Sequence, residues 1–485
     1  MILPNRNEVT VDLAAQDSTN LSHYNVPTII PNEVFRAYDI RGPVEATGLT
    51  ADLSYAIGLA FASEAREKQQ TVVAVGRDGR LSGPELTQAL MRGICDAGID
   101  ILDIGMVPTP LLYFATNRLA TTSGVMVTAS HNPGNHNGFK IVLCGKTLTT
   151  DEIRALRERI VQQRFTQGHG KITSVDIIED YEKYVTDRIH LSRPLKVVVD
   201  CGNGIAGNIV PNLYRKLGCE VIELFCDVDG RFPNHHPDPT VPENLTTLID
   251  TVKKTQADIG LGFDGDADRL GMVTDLGEII WPDRQMMLFA KDVLSHQPGA
   301  DIIFDVKCSR HLPAIIAQYG GNPIMWRTGH SILKAKLFEL DAALAGEMSG
   351  HIFFKDEWFG FDDGIYVGAR LLRILSQQTR KVSQVFAELP NSVNTPELKL
   401  PMAEDRKQAF MQQLISQGDF SGAKLITIDG VRVEFPDGWG LIRPSNTSPY
   451  LILRFEADTK AGLEKIKHLF SQQLLKIDPR LQLPF

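Results

Sequence analysis

Three aspartates on alternate residues, Asp264, Asp266 and Asp268, stand between two apolar runs at residues 259–263 and 270–273. Carboxylates bunched in this way repel one another unless a cation sits between them. An all-oxygen set suits Mg²⁺, which keeps positions open for phosphate oxygens. The apolar flanks argue for partial burial over a solvated acidic turn. An EF-hand calcium loop fails as a rival, because Arg269 occupies the sixth position where that loop needs Gly, and residues 270–273 read as strand. Arg269 either holds a phosphate or balances the acids. A second feature is Ser130, in Thr128-Ala129-Ser130-His131-Asn132-Pro133, with His131, His136 and Lys140 close by in the chain. Serine is a poor nucleophile until a base or a metal activates it. The plain alternative is a turn whose hydroxyl bonds its own backbone.

Further loops carry other chemistry. Glu347, Ser349 and His351 share one face if their loop is extended, and they offer an acceptor, a hydroxyl and an imidazole to sugar hydroxyls. Arg443, Ser445, Asn446 and Thr447 supply a guanidinium and a row of small donors, the needs of a phosphate cradle; a hairpin tip is the alternative. Lys307 and His330 are single polar residues, each read as ordinary surface or core when taken alone. Gly202, Gly204 and Gly207 have the G-x-G-x-x-G spacing of a dinucleotide loop, with Glu223 some way on. A lone match is weak, and the strand ending near Glu223 runs into Cys226-Asp227-Val228-Asp229-Gly230, which is no obvious ribose pocket.

These residues need elements to position them. Apolar strands are predicted at 71–75, 195–199 and 301–304, each followed by a polar loop and a helix-like stretch. In each case a second apolar run follows, at 124–127, 259–263 and 342–345, and ends in the Ser130, Asp264 or Glu347 loop. Strand-to-loop ends are where open α/β sheets bind ligands. The repeat predicts an α/β protein of three tandem related domains with mixed, mainly parallel sheets. The remainder reads differently: a strand, turn and strand over 424–435, strands at 440–442 and 450–455, and helical spacing over 459–476, a C-terminal α+β domain. The expected divisions are an extension 1–30 and domains 31–176, 177–278, 279–390 and 391–485.

With 485 residues the chain has room for several cores. A net charge of −9 gives no basic surface for nucleic acid, so any phosphate site must be built locally. The six cysteines show no C-x-x-C pair, which fits free thiols in a reducing cytoplasm. The first 25 residues carry no apolar core of a signal peptide, and no apolar run approaches a membrane span.

Five motifs, in order, resemble the α-D-phosphohexomutases over the stretch from about Phe35 to the C-terminus. They are Phe35-Arg36-Ala37-Tyr38-Asp39-Ile40-Arg41-Gly42, the Ser130 loop, the Asp264–Arg269 loop, the Gly346–His351 loop and the Arg443–Thr447 loop. The Glu347-Met348-Ser349 form resembles enzymes of mannose and glucose phosphates, and weighs against phosphoglucosamine mutase. The resemblance implies four domains in a heart shape with a central cleft. It implies transfer of phosphate between C1 and C6 through a phosphoserine at Ser130 and a 1,6-bisphosphosugar, with glucose 1,6-bisphosphate as activator. Mg²⁺ would sit on Asp264, Asp266, Asp268 and a phosphoserine oxygen. Lys140, Arg41 and His330 would manage the hydroxyl proton and developing charge. Substrate-binding roles fall to Tyr38, His131, Arg269, Lys307, Glu347, Ser349, His351, Arg443, Ser445, Asn446 and Thr447. Glu347 and Ser349 would read the O3 and O4 hydroxyls, which glucose and mannose share. Small phosphosugars are the implied partners, with no nucleic acid, no membrane and a monomeric protein. A Ser-dependent, Mg-assisted sugar phosphatase would use the same serine and acids. Ala267 stands where the family often has Gly, a position that restricts the loop if the backbone there needs φ > 0.

Overall fold

A computed structural model of the chain describes residues 9–11, 24–445 and 448–485. It divides into two compact units, residues 1–281 with 349–385, and residues 282–348 with 386–485.

In the first unit, strand Val72–Arg77 pairs in parallel with Asp100–Met106 on one side and Gly124–Val127 on the other. The chain then returns antiparallel along His136–Leu143, and Ile40–Pro43 pairs antiparallel beyond it. Gly124–Val127 is buried at every position, as a strand covered on both faces must be. Helices Ala51–Glu67 and Gly83–Asp96 pack on this sheet. Their buried residues, among them Leu53, Ile57, Phe61, Leu90 and Ile94, build the first core with Val73, Val75, Val125 and Phe139. Within the predicted N-terminal extension, Val9–Val11 pairs antiparallel with Ile172–Ser174 at the sheet edge, and Val26 and Ile30 pack against the first core. The expectation for the rest of residues 1–23 lies outside the described residues.

The second sheet repeats the plan. Lys196–Asp200 lies between Glu220–Leu224 and Ile259–Phe263, parallel to both, and Leu270–Thr274 returns antiparallel. In the second unit, Asp301–Asp305 lies between Asn322–Trp326 and Leu344–Gly346, again parallel to both. The repeat expected from the sequence is therefore a repeat of register: the two strands that precede a polar loop are hydrogen-bonded neighbours each time. The C-terminal part is an antiparallel sheet of Lys424–Ile426, Val431–Phe435, Gly438–Pro444 and Tyr450–Ala457, backed by helix Lys460–Ile477. Its apolar face, Leu451, Leu453, Phe455 and Ile442, packs on Leu463, Ile466 and Phe470 in a core of its own. The fold is four α/β and α+β sheets with mixed strand directions, as the sequence predicts. Among the described residues no helix is long and apolar enough to cross a membrane.

Candidate active site

Ser130 leaves the buried strand Gly124–Val127 on a backbone bent into the left-handed region, φ +50°, where a residue with a side chain is strained. The surroundings hold it there. Ser130 N–H donates to Thr128 Oγ1 at 2.9 Å, and Thr128 Oγ1 donates to Asp78 Oδ2 at 2.7 Å. Arg80, fully buried, sends its guanidinium into the loop and donates to four carbonyls: Ser130 and Asn132 at 2.7 Å, Pro133 at 2.7 Å and His136 at 3.0 Å. Asp78 accepts from Arg80 Nε at 3.2 Å and so neutralises it. The buried Ser130 hydroxyl donates to Asp264 Oδ2 at 2.8 Å, with His131 Nδ1 at 3.1 Å. Burial, then Arg269, push the His131 imidazole well below its ordinary pKa, so it stands neutral beside the hydroxyl.

The acidic loop meets the serine loop at Gly265, where a Cβ would stand 2.3 Å from the Ser130 carbonyl oxygen; only glycine permits this approach. Asp264, Asp266 and Asp268 are fully buried, and a carboxylate oxygen of each lies within 4.8 Å of the others. Cations compensate them. Lys140 Nζ donates to Asp266 Oδ2 at 2.6 Å and to Asp268 Oδ2. Arg269 Nε donates to Asp264 Oδ2 at 2.9 Å, and Thr109 Oγ1 to Asp266 Oδ2 at 2.6 Å. Burial raises Asp264 to about 7, with Arg269 offsetting part and Asp268 and Asp266 adding to it. For Asp266 burial is outweighed by Lys140, Thr109 and Arg41, and its pKa falls below the usual carboxylate range. Burial works against the Lys140 charge, yet Asp266 and Asp268 hold its pKa well above the ordinary lysine value, so in this arrangement Lys140 is a cation and not a base. Asp266 Oδ1 and Asp268 Oδ1 are buried without a hydrogen bond among the described residues. Buried carboxylate oxygens clustered in this way, with hydrogen-bonding capacity left, are a donor set a hard divalent cation fits.

His351 joins this group, its Nδ1 3.1 Å from Asp362 Oδ2 and 3.6 Å from Asp268 Oδ1. Residues 348–350 form a turn, with Gly350 at φ +98°, so the extended loop supposed for Glu347, Ser349 and His351 is not what the chain adopts. Glu347 belongs to the second unit, and Ser349 and His351 to the first. Arg41, on strand Ile40–Pro43, pairs with Asp39 and donates to Asn132 Oδ1 of the serine loop at 3.0 Å. Tyr38 is half-buried in the bend just before that strand.

The second unit gathers the remaining candidates. Glu347 Oε1 accepts from Gly329 N–H at 2.6 Å, beside His330, the first residue of helix His330–Glu339. Lys307 Nζ donates to Glu397 Oε1 at 2.5 Å and lies 3.6 Å from Asp305 Oδ2. Burial disfavours the Lys307 charge, but Glu397, Asp305 and Glu347 outweigh it and raise its pKa. Asp429 Oδ2 accepts from Thr328 N–H and from Arg443 Nε, both at 2.9 Å, and thereby ties the Arg443 strand to the turn before His330. Arg443 Nη2 is buried without a hydrogen bond among the described residues. Ser445 Oγ lies 2.8 Å from Ser448 Oγ, and buried Lys407 donates to the Ser445 carbonyl at 2.7 Å. The expectations for Asn446 and Thr447 lie outside the described residues.

A serine hydroxyl set against paired acids and cations, in three repeated α/β sheets with a fourth α+β domain, matches known proteins along the chain. The descriptions "Phosphoglucomutase/phosphomannomutase, alpha/beta/alpha domain I", "domain II" and "domain III" match residues 32–167, 179–277 and 281–393, and the C-terminal domain of the same family matches 393–473. The chain belongs to the phosphoglucomutase/phosphomannomutase family. Phosphomannomutase/phosphoglucomutase of Pseudomonas aeruginosa is 56% identical over 465 residues, 96% of this chain and 100% of its own. A phosphoglucomutase of Neisseria meningitidis is 52% identical over 459 residues, 94% and 99% of the two chains. The crystal structure of a phosphoglucomutase/phosphomannomutase family protein from Burkholderia thailandensis superposes with a TM-score of 0.90 at 51% identity, covering 94% of this chain and all of that one.

Sequence reasoning missed several residues that hold this family site together. Asp78 and Arg80 were visible as a charged pair just after a buried strand. Thr109 and Asp362 sit far from the acids in the chain and gave no local signal. Asp238, 3.5 Å from Arg269 Nη1, is equally remote, and Arg269 with His131 and Thr240 holds its pKa low despite burial.

Proposed function

We infer that this protein interconverts the 1- and 6-phosphates of mannose and of glucose, with Ser130 carrying the phosphoryl group and the sugar passing through its 1,6-bisphosphate. The observation that carries this reading is the Ser130 hydroxyl, 2.8 Å from Asp264 and held on a caged, strained loop. Such a hydroxyl is pre-placed for phosphoryl transfer, which is mostly a matter of positioning and charge. The names of the similar proteins support the sugar class.

Asp264, Asp266 and Asp268 would hold Mg²⁺, which when bound supplies positive charge against the transferring phosphoryl group. Their unpaired inner oxygens fit that ion. Lys140 and Arg269 supply fixed positive charge beside the acids, and Lys140 is assigned, with Arg41 and His330, to the hydroxyl proton and the developing charge. Arg41, braced by Asn132, contributes another cation beside the serine loop, and His131 and Tyr38 are assigned to substrate binding. In the second unit we assign Arg443, Ser445, Asn446 and Thr447 to phosphate binding. The buried Arg443 Nη2, without a hydrogen bond among the described residues, supports that role. Glu347, Lys307 and His330, with Ser349 and His351 of the first unit, are assigned to the sugar hydroxyls and their protons. Glucose 1,6-bisphosphate would activate the enzyme by phosphorylating Ser130. A cytoplasmic monomer acting on small phosphosugars completes the reading, supported by six cysteines free of disulfides and by the resemblance.

The test is phosphorus NMR of the purified protein with Mg²⁺, glucose 1-phosphate and a trace of glucose 1,6-bisphosphate, repeated with mannose 1-phosphate. Conversion of both to 6-phosphates without inorganic phosphate is expected, and Ser130→Ala is expected to lower the rate by at least about 10³-fold. Inorganic phosphate as main product would replace the mutase with a phosphatase. Turnover of glucosamine 6-phosphate alone would replace the sugar.

A further inference from the structure

Cys201 and Cys226 stand 25 positions apart in the chain, yet their sulfurs are 3.5 Å apart. The sheet register brings them together. Asp200 and Leu224 are paired at the ends of the parallel strands Lys196–Asp200 and Glu220–Leu224; Cys201 is the next residue after the first strand and Cys226 the next but one after the second. Cys201 N–H donates to the Leu224 carbonyl at 3.1 Å. Cys201 is fully buried and Cys226 is partly exposed. Cys95, Cys219 and Cys308 are buried and Cys144 is exposed, and among the described residues none of these four has a thiol neighbour of this kind.

Two sulfurs at van der Waals contact need to approach by only about 1.5 Å to reach disulfide bonding distance, a shift that χ1 rotation can supply. We propose that Cys201 and Cys226 form a dithiol site that a small-molecule disulfide closes to an intramolecular disulfide. The accessible Cys226 thiolate attacks one sulfur of the small disulfide, whose S–S bond breaks and releases one thiolate. Cys201 then loses its proton to water and attacks the Cys226 sulfur of the mixed disulfide, releasing the second thiolate, which is protonated. Two protein thiols are oxidised, and one small disulfide is reduced to two thiols. Burial raises the Cys201 thiol well above its ordinary pKa, which makes it the resolving and not the attacking sulfur.

The site lies directly behind the acidic loop. Ile205 N–H, in the turn that Cys201 begins, donates to the Gly265 carbonyl at 3.2 Å. Closing the disulfide would tie that turn to the neighbouring strand end.

The experiment treats the folded full-length protein with oxidised glutathione at neutral pH, quenches with acid and maps tryptic peptides. Cys219 and Cys226 share one tryptic peptide, so fragmentation must separate them. Expected are a Cys201–Cys226 cross-link, the loss of two hydrogens in mass from the linked pair, reversal by dithiothreitol, and a persistent glutathione adduct on Cys144, which has no resolving partner. Cys201→Ser should leave glutathione trapped on Cys226. A stable adduct on Cys226 in the wild-type protein would overturn the proposal, as would an unmodified Cys226 in protein whose Cys144 has reacted. A cross-link that forms only after denaturation would also overturn it. The wild-type arm decides without the variant, so misfolding of Cys201→Ser leaves the test intact.

Discussion

Two loops leave neighbouring parallel strands of one sheet, and only one of them is equipped for chemistry. The glycine loop after Lys196–Asp200 has the spacing of a dinucleotide site, but five of its N–H groups are already spent. Gly202 donates to Asp200 Oδ1, Asn203 to the Phe225 carbonyl, Gly204 to Cys201, Ile205 to Gly265 and Gly207 to Gly204. It leads into a short 3₁₀ turn, Ile205–Asn208, before a helix of only seven residues, Val210–Lys216. Those five N–H groups are not available to receive a pyrophosphate. The acidic loop after Ile259–Phe263 is the reverse: Lys140 and Arg269 pair with the three buried carboxylates, and among the described residues Asp266 Oδ1 and Asp268 Oδ1 still accept no hydrogen bond. Buried polar groups are almost always satisfied, so the loop that leaves some unsatisfied is the one built for a ligand. Motif spacing pointed at both loops, and hydrogen-bond accounting separates them.

The largest test of that contrast pairs Asp266→Asn with Asn203→Ala. Asp266→Asn removes a charge facing Lys140 and one of the unpaired oxygens, and turnover should fall by at least about 10²-fold with a weakened response to Mg²⁺. Asn203 donates to the Asp227 carbonyl and accepts from Asn234 Nδ2, both in the segment after Glu220–Leu224, so Asn203→Ala should lower the unfolding temperature while turnover per folded molecule stays within about twofold. Equal losses of turnover in the two variants would erase the distinction.

A second test uses the glycines. At Gly265 a Cβ meets the Ser130 carbonyl oxygen at 2.3 Å, a backbone atom that cannot swing away. At Gly204 the nearest atoms stand at 3.0 Å, close enough to require a small shift only. Gly265→Ala is therefore expected to cut kcat by roughly an order of magnitude or more, because displacing the serine loop misaligns the reacting hydroxyl. Gly204→Ala should cost mainly stability. Equal kcat for Gly265→Ala and the wild type would mean that the two loops separate without consequence.

How much of this was legible beforehand follows from where the information lies. Alternating acids, a serine after a buried strand and a threefold strand–loop repeat are local patterns, and the repeated registers and the cluster around Asp264 were readable from them. The partners of those residues were not. Arg80 reaches four carbonyls some fifty positions away, and Thr109 lies 157 positions from Asp266. Such pairings are set by sheet order, which periodicity does not encode. The Glu347–His351 loop misled for a different reason: alternation implies one face only when the backbone is extended, and here it turns.

A smaller effect, in stability and not in rate, is expected from the pair that holds the glycine loop. His235 Nε2 lies 3.0 Å from Asp200 Oδ1. Burial disfavours the imidazolium, but Asp200 outweighs it and raises the His235 pKa. A raised folded-state value means that the native state binds the proton more tightly than the unfolded chain does. The added stability is thus present in full below the unfolded value of about 6.5 and is lost as pH rises through the folded value. The unfolding-temperature gap between the wild type and His235→Gln should narrow from about pH 6 to about pH 8. A gap that is constant over this range would show that His235 is neutral throughout.

The smallest effect returns to the acidic loop. Ala267 is buried at φ +62°, the conformation for which glycine is suited, while its N–H donates to the Asp264 carbonyl and its carbonyl accepts from Gly364. Holding an L-residue there costs about 1–2 kcal/mol. Glycine would relieve that strain, but its greater freedom in the unfolded chain takes back about 0.5–1 kcal/mol. The net gain for Ala267→Gly is then at most about 1.5 kcal/mol, a rise of a few degrees in the unfolding midpoint, with the Mg²⁺ response unchanged because all three carboxylates remain. A fall in the midpoint would mean that the Ala267 methyl group packs well enough to repay its backbone. The strain in this loop would then be balanced locally, and the acidic loop would resemble the glycine loop in being internally satisfied at that one residue.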